Sequence, residues 1–547
     1  MKSFNQTFML AISIVLGSCT ANQYTIAFET NGGTPIEPII GNFDAWVDSI
    51  SETSKEGHSF AGWFLNEGLT IPTNIPDKFP AENLTLYANW TINHYTLTFE
   101  TNGGNMIHSL TQEYDSQIEL VEDPTKPFHN FLGWFSDFNF ITSTTIPITM
   151  PSRDVTFYAK WAPLEGAILT AQDLRNIKNN LSGTYFLVND IDLGGVEWTP
   201  IGTDTTPFKG ILDGKGFTIR NLKITTSQVY VGLFGFNEGI ITNLNLDYVD
   251  INVNGAMYAG SFIGYNNTNG DINNLKALNG TITISKNYFN TSIVGGLIGF
   301  QNTDLSINYS SNSLLITEGL IDILGGLIGN SMTVTISNCY NTASMDGISE
   351  VGGLVGKAHS ATISNSFNLG NVSSDVDSSS RGGGLVGYAS VFVDISTSFN
   401  LGSVVGNAHV GGLVGRVGNI TISNSFNRGS VVGYSPVSRV GGLAGLVSIA
   451  RVTNSFNSGS VSGYHVDGNG LFSGQVNIII SYSVNLINSF NFGNINGNIV
   501  PNLIIYDLEF FTTTSSWDTA IWNFTGLDIA NGLFPTLKNM PAIPDNQ

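Results

Sequence analysis

Seven histidines, two cysteines and a few closely spaced charges are the residues of this chain that could do chemistry. A zinc peptidase needs His-Glu-x-x-His, so that one helix face presents both ligands and a general base. His58, His94, His108, His129, His359, His409 and His465 never form it, and His359 and His409 fall in turns beside glycine runs. A serine raised on a Gly-x-Ser-x-Gly turn is also absent. Polysaccharide-cleaving enzymes place carboxylates or basic groups along one face. Asp375 and Asp377 sit in the serine-rich stretch Ser373 to Ser380, which reads as a solvated loop, with weak calcium binding as the other reading. Arg416, Arg428, Arg439 and Arg451 either align into a basic stripe or are scattered solubilising charge. Cys339 fills a slot held by Ser366, Ser398, Ser425 and Ser455 in sister segments, and reads as a small residue in a strand. No catalytic constellation emerges and no cofactor or metal is called for. Function must lie in what the elements display.

Those elements repeat. Gly-Gly-Leu-Val-Gly, Ile-Ser-Asn-Ser-Phe-Asn and Gly-x-Val-x-Gly follow one another again and again, with glycine phrases starting at Gly295, Gly325, Gly352, Gly383, Gly411 and Gly441. A degenerate copy starts at Gly470, and looser ones begin at Val231 and Ala259. Their leucines step by 30, 27, 31, 28, 30 and 28 residues. A near-constant step of this size marks stacked coils that cannot bury their apolar faces alone. The phrase is no phosphate loop, because no Lys-Ser/Thr follows it and no strand–helix context surrounds it. In Ile363-Ser-Asn-Ser-Phe-Asn368 a period of two places Ile363, Asn365 and Phe367 on one face, so an aliphatic and an aromatic column should run inside the tube. Asn341, Asn368, Asn400, Asn427, Asn457 and Asn491 are expected to form amide ladders. Three short parallel strands per coil predict a right-handed parallel β-helix. Some nine coils about 4.8 Å apart would make a rod of roughly 45 Å.

Gly and Asn are frequent and charge is sparse, which fits a β-rich, turn-rich protein. The net charge of −21 argues against electrostatic binding of nucleic acid or anionic lipid. The acidity is uneven. From Val351 to Tyr506 there are four acids and six bases, so the repeat core is nearly neutral. At the N-terminus Lys2 precedes the apolar run Phe8 to Leu16, too short to span a bilayer and secretory by composition. Leu16-Gly17-Ser18-Cys19 resembles the bacterial lipobox, which implies that Cys19 is lipidated and becomes the mature N-terminus. The alternative is ordinary cleavage near Ala21. With one cysteine in this segment, a disulfide framework is not expected.

A second, longer repeat precedes the coils. Asn31-Gly32-Gly33 recurs as Asn102-Gly103-Gly104, Gly62-Trp63-Phe64 as Gly133-Trp134-Phe135, and Tyr87-Ala88-Asn89-Trp90 as Tyr158-Ala159-Lys160-Trp161, each offset by 71 residues. This pattern closely resembles the Listeria–Bacteroides repeat family, also called internalin B-type B-repeats. The resemblance implies small β-grasp-like modules of bacterial surface proteins. Trp63, Trp90, Trp134 and Trp161 are expected in the cores. Trp46 has no aromatic counterpart in the second copy, where Gln117 stands, and is expected to be the exposed ring.

Thr170-Ala-Gln-Asp173 starts a short amphipathic helix that would cap the open end of the array. The glycine phrases resemble the GLUG repeat over about residues 165–540, a motif of bacterial adhesins and of accessory regions in some immunoglobulin-A metallopeptidases. The domains then read as a lipoprotein signal peptide 1–18, modules 23–91 and 94–162, a capped β-helix 163–506, and a C-terminal cap and tail 507–547. A mainly β fold results: a right-handed parallel β-helix preceded by two small β-grasp-like domains. The implied role is a non-enzymatic, adhesin-like lipoprotein on the outer face of the cell envelope. Its partners would be a glycan or a protein of a host or neighbouring cell, with the membrane met only through an N-terminal lipid and no nucleic acid bound. A polysaccharide-active β-helix enzyme and a purely structural envelope protein are the alternatives.

Overall fold

The computed structural model describes residues 22–541 except 256, 271, 286–290, 318–320, 375–378, 467–483, 488–489, 492–519 and 524–535. Cys19 and the signal segment, Asp375, Asp377, the copy at Gly470, the Asn491 side chain and most of 507–547 therefore lie outside the described residues. The protein is 53% strand and 2% helix, with a parallel β-solenoid of about 9 turns after two repeat domains. It divides into two compact units, residues 1–164 and 165–547.

In the first unit each module is one five-stranded sheet. β1 (Gln23–Glu29), β2 (Ile39–Asn42), β3 (His58–Phe64), β4 (Pro72–Thr73) and β5 (Leu84–Ile92) lie in the order β2-β1-β5-β3-β4, with β1 and β5 parallel. The second module repeats that order with β6 (His94–Glu100), β7 (Leu110–Glu113), β8 (His129–Phe135), β9 (Ser143–Thr144) and β10 (Val155–Pro163). Alternation buries Ile26, Phe28, Leu86 and Ala88 in one core and Leu97, Phe99, Phe157 and Ala159 in the other. Trp63 and Trp134 are buried, while the Trp90 and Trp161 indoles donate to the Thr30 and Thr101 carbonyls at 2.8 Å. Trp46 is 72% exposed. Asn93 alone links the two modules, because strand pairing runs to Ile92 and resumes at His94.

The second unit opens with the expected helix, α1 (Ala171–Asn176), closed by a capping box between Thr170 and Asp173. Leu174 and Ile177 turn their apolar face into the first coils. One coil then runs Glu350–Gly352, Val355–Ser364, Phe367–Asn368 and Val372–Ser374, and each piece pairs in parallel with its copy in the next coil. There are thus four strand pieces per coil where three were expected, because the glycine phrase splits one side in two. Leu354, Val355, Ile363 and Val372 point inward with their counterparts above and below, at 0–1% exposure.

The period of two does not hold through the second phrase. Asn365 has φ 46°, and Asn338, Thr397, Asn424 and Asn454 at the same corner have φ 47–54°. Each left-handed residue shifts the alternation by one, so Ser366 and Asn368 point inward and Phe367 outward. The aromatic column is therefore not inside the tube with Ile363. Tyr340, Phe367, Phe399, Phe426 and Phe456 stack on the other side of the wall, centroids 4.9–5.1 Å apart and planes within 5°. They form a separate apolar cluster closed by Trp522, Leu537 and Met540. Asparagine at the corner is the cheap choice, since its short side chain tolerates this backbone.

The amide ladder is present, and it begins one coil earlier than expected, at Asn312. Asn312, Asn341, Asn368, Asn400 and Asn427 each donate Nδ2 to the Oδ1 of the next, at 3.0, 2.9, 2.9, 2.8 and 2.7 Å, ending on Asn457. From Asn341 onward the second Nδ2 proton goes to the carbonyl two residues on, at 2.7 Å. All six side chains are fully buried. The second glycine of the pair makes room for this ladder. A Cβ on Gly353 would lie 2.1 Å from the Gly384 carbonyl oxygen and 2.4 Å from Asn368 Cγ.

Replacing a rung should cost more than its own bonds. Asn400→Ala strands the Asn368 amide, the Gly402 carbonyl and the Asn427 oxygen, and should lower stability by about 3 kcal/mol. Thr397→Asn relieves a branched side chain in left-handed backbone and should stabilise by about 1 kcal/mol. Denaturant titration of both variants checks the pair, and equal effects would contradict the assignment.

Candidate functional site

The chemistry-bearing residues disperse. Cys339 is fully buried in the serine column, where its thiol faces the Ser337 carbonyl at 3.1 Å and Ser366 Oγ accepts from its backbone N–H. Burial pushes that thiol up to about 12, which leaves no thiolate for catalysis. A ring nitrogen of His359 pairs with the Ser390 hydroxyl at 2.9 Å. His58 and His129 are tied to neighbouring carbonyls. Arg428 lies over the Phe426 ring, and Arg451 stands in register with Asp394 and Thr421. The four-arginine stripe is thus only half assembled: Arg416 and Arg439 come together, and their companion is Arg381. Among the described residues no three His, Cys, Asp or Glu side chains gather as metal ligands would.

One wall of the solenoid does concentrate recognition chemistry. Two positions flank every glycine phrase: the residue two before the first glycine and the residue after the last. Parallel register turns each into a column. The first runs Tyr230, Tyr258, Ile293, Ile323, Glu350, Arg381, His409, Arg439. The second runs Phe236, Tyr265, Phe300, Asn330, Lys357, Tyr388, Arg416, Leu446. The glycines fix the backbone and leave these positions to vary, so the wall carries whatever each copy supplies.

Its first part is a ribbon of rings. Tyr230 stacks on Tyr258 at 5.7 Å and 8°, Phe236 on Tyr265 at 4.7 Å and 17°, and Tyr265 on Phe300 at 5.0 Å and 17°. Edge contacts of 5.3–5.6 Å lock the two columns together. The three tyrosines are half-buried, and burial raises their phenols above the ordinary value. Their hydroxyls have no hydrogen-bond partner among the described residues. Rigid flat rings with open hydroxyls suit a ligand with an apolar face and polar edges.

The second part is cationic. Tyr388 has the Arg381 guanidinium 4.5 Å from its ring centre, with Lys357 and Arg416 each at 5.8 Å. Glu350 is shared by Arg381 and by Lys357 at 3.9 Å. Arg416 and Arg439 have no ion pair among the described residues. His409 sits in their midst. Desolvation first, then Arg416, Arg439 and Arg381, push its imidazole down to about 3, so it is neutral at physiological pH. Its Nδ1 and the Arg381 Nε are buried without a hydrogen-bond partner.

A separate groove of about 680 Å³ lies along the corner of Asn243, Asn274, Tyr309 and Asn338, with Lys276 and Tyr340 alongside. Its amides are largely spent on each other: Asn308 donates to Asn273 at 2.9 Å and Asn243 to Asp213 at 3.0 Å. Sequence reasoning missed the ring-and-cation wall because it weighed the recurring phrase and not the variable residues beside it, which were the available signal.

Residues 24–89 and 95–160 each match the Listeria-Bacteroides repeat domain, so the chain contains two copies of it. A presumptive membrane protein of Evansella cellulosilytica is 39% identical over 140 residues, covering 26% of this chain and 21% of that protein. Internalin H of Listeria monocytogenes is 32% identical over 171 residues, covering 29% of this chain and 30% of internalin H. The chain thus spans less than a third of either relative. A solved structure titled IgA1 Protease superposes with TM-score 0.37 at 21% identity, over 54% of this chain and 24% of that one. No helix among the described residues is long and apolar enough to cross a membrane.

A Cys19→Ser variant, leaving Cys339 as the one thiol, should not react with an aromatic disulfide reagent at pH 8 over hours. It should react at once in denaturant. Native reaction within minutes would contradict the buried slot.

Proposed function

We propose that this chain is a non-enzymatic, adhesin-like protein of the cell surface, lipid-anchored at Cys19, whose solenoid wall binds a glycan chain. The ring ribbon of Tyr230, Phe236, Tyr258, Tyr265 and Phe300 carries the reading. Sugars offer flat C–H faces for such rings and hydroxyls for the open tyrosine oxygens, and a ligand running along the axis meets ring after ring. The two Listeria-Bacteroides repeat domains and the likeness to internalin H support a surface location. The GLUG-like phrases fit the same role, as the scaffold that holds the wall.

The stacked rings stand outside the solenoid's interior apolar cluster, so their loss should fall on binding more than on folding. Tyr258→Ala/Tyr265→Ala should weaken capture on a glycan array by about tenfold, roughly two lost ring contacts of about 0.7 kcal/mol each. Unchanged binding by the double variant would sink the ribbon as the site. Cys19→Ser should move the protein from the membrane fraction to the soluble fraction, and no change in partition would remove the anchor.

A further inference from the structure

The cationic part of the wall asks for more than a neutral sugar. Four cations, Lys357, Arg381, Arg416 and Arg439, meet one carboxylate, Glu350, along its two columns. Glu350 answers Arg381 and Lys357, while Arg416 and Arg439 have no ion pair among the described residues, so the patch keeps positive charge there. The patch is also built: Tyr388 is held among three of the cations, and His409 sits between Arg381 and Arg439 in one column.

We propose that Arg381, Arg416 and Arg439, with Tyr388 between them, bind the carboxylates of an acidic polysaccharide whose chain continues along the same wall to the rings, which begin at Phe300 three coils away. This rests on reading the wall as a glycan platform and adds the class of glycan. Arginine presents a planar fork matched to a carboxylate; Arg416 and Arg439 have no ion pair among the described residues, while Arg381 already gives Nη1 to Glu350 and would offer a ligand only its other arm. Arg381 and Arg439 stand two coils apart in one column, about 10 Å by strand spacing. That step suits a chain with a carboxylate on alternate sugars, one at each arginine, with a sugar between them over His409. The Arg416 fork stands beside this line in the second column. The neutral imidazole adds no charge, and its buried Nδ1 and the Arg381 Nε mark polar atoms left unsatisfied by the protein itself.

Calorimetry on the full chain bearing Cys19→Ser, with hyaluronan oligosaccharides, polygalacturonate and neutral dextran as probes, tests this. Hyaluronan should bind at least tenfold tighter than dextran, and more weakly as salt rises. Arg416→Gln/Arg439→Gln should remove that preference and the salt dependence, whereas Arg416→Lys/Arg439→Lys should keep the salt dependence and lose part of the affinity. Histidine NMR, assigned with His409→Gln, should show the His409 pKa rising on saturation, because a bound carboxylate favours the imidazolium. Equal binding of hyaluronan and dextran, equal binding by parent and the glutamine variant, or an unmoved His409 would each overturn the proposal. Tighter binding of polygalacturonate than of hyaluronan would overturn the alternate-sugar spacing. Loss of dextran binding in Tyr258→Ala/Tyr265→Ala, with the arginine effect intact, separates the ring reading from this one.

Discussion

Every coil of the solenoid rests on another copy of itself, and that is the constraint from which the rest follows. A buried polar group in such an array must be satisfied by the same group one coil away. Asparagine meets the condition because its amide is both donor and acceptor along one line. The ladder from Asn312 to Asn457 uses this, and spends the second amide proton on the turn carbonyl beside it. Hydrogen-bonded neighbours polarise one another in a low-dielectric interior, so the ladder ties the coils into one register. The second glycine of each pair clears the space that the amides need, and the first lets neighbouring backbone pass close by.

The same constraint explains how a wall comes to carry recognition. Once glycines, inward leucines and amides fix the backbone, the residues flanking the glycine phrase can differ from copy to copy, from buried Ile293 and Ile323 to half-exposed Arg381 and Arg439. Aromatic residues there stack face to face at the coil spacing, as Tyr230 and Tyr258 do, and arginines stand in file, as Arg381 and Arg439 do on either side of His409. The backbone supplies a ruler and the flanking positions supply the marks. A long ligand with its own repeat is the natural match for such a surface.

Much of this was legible in the residues. The glycine phrase gave the coil step, Asn341 to Asn457 announced the ladder, and Thr170 with Asp173 announced the capping helix. The failure at Asn365 is instructive. Strand alternation was applied across a residue whose backbone is left-handed, and one such residue inverts every face after it. Asparagine inside an apparent strand, recurring at one slot, was the available warning. The wall itself was harder to see, because a column of unlike residues leaves no repeat in the sequence. Arg416, Arg428, Arg439 and Arg451 appear equally regular in one dimension, yet register sends Arg428 to the Phe426 ring and brings Arg381 into the cluster instead.

The central claim is that matching amides stack through the interior in a single register. Hydrogen exchange of asparagine side-chain amides, followed by NMR with selective labelling, reads this most directly. The account predicts a small set of slowly exchanging Nδ2 groups, assigned by substitution to Asn341, Asn368, Asn400 and Asn427, while corner asparagines such as Asn365 and Asn424 exchange at solvent rates. Fast exchange at the ladder positions, equal to that of the corners, would contradict it.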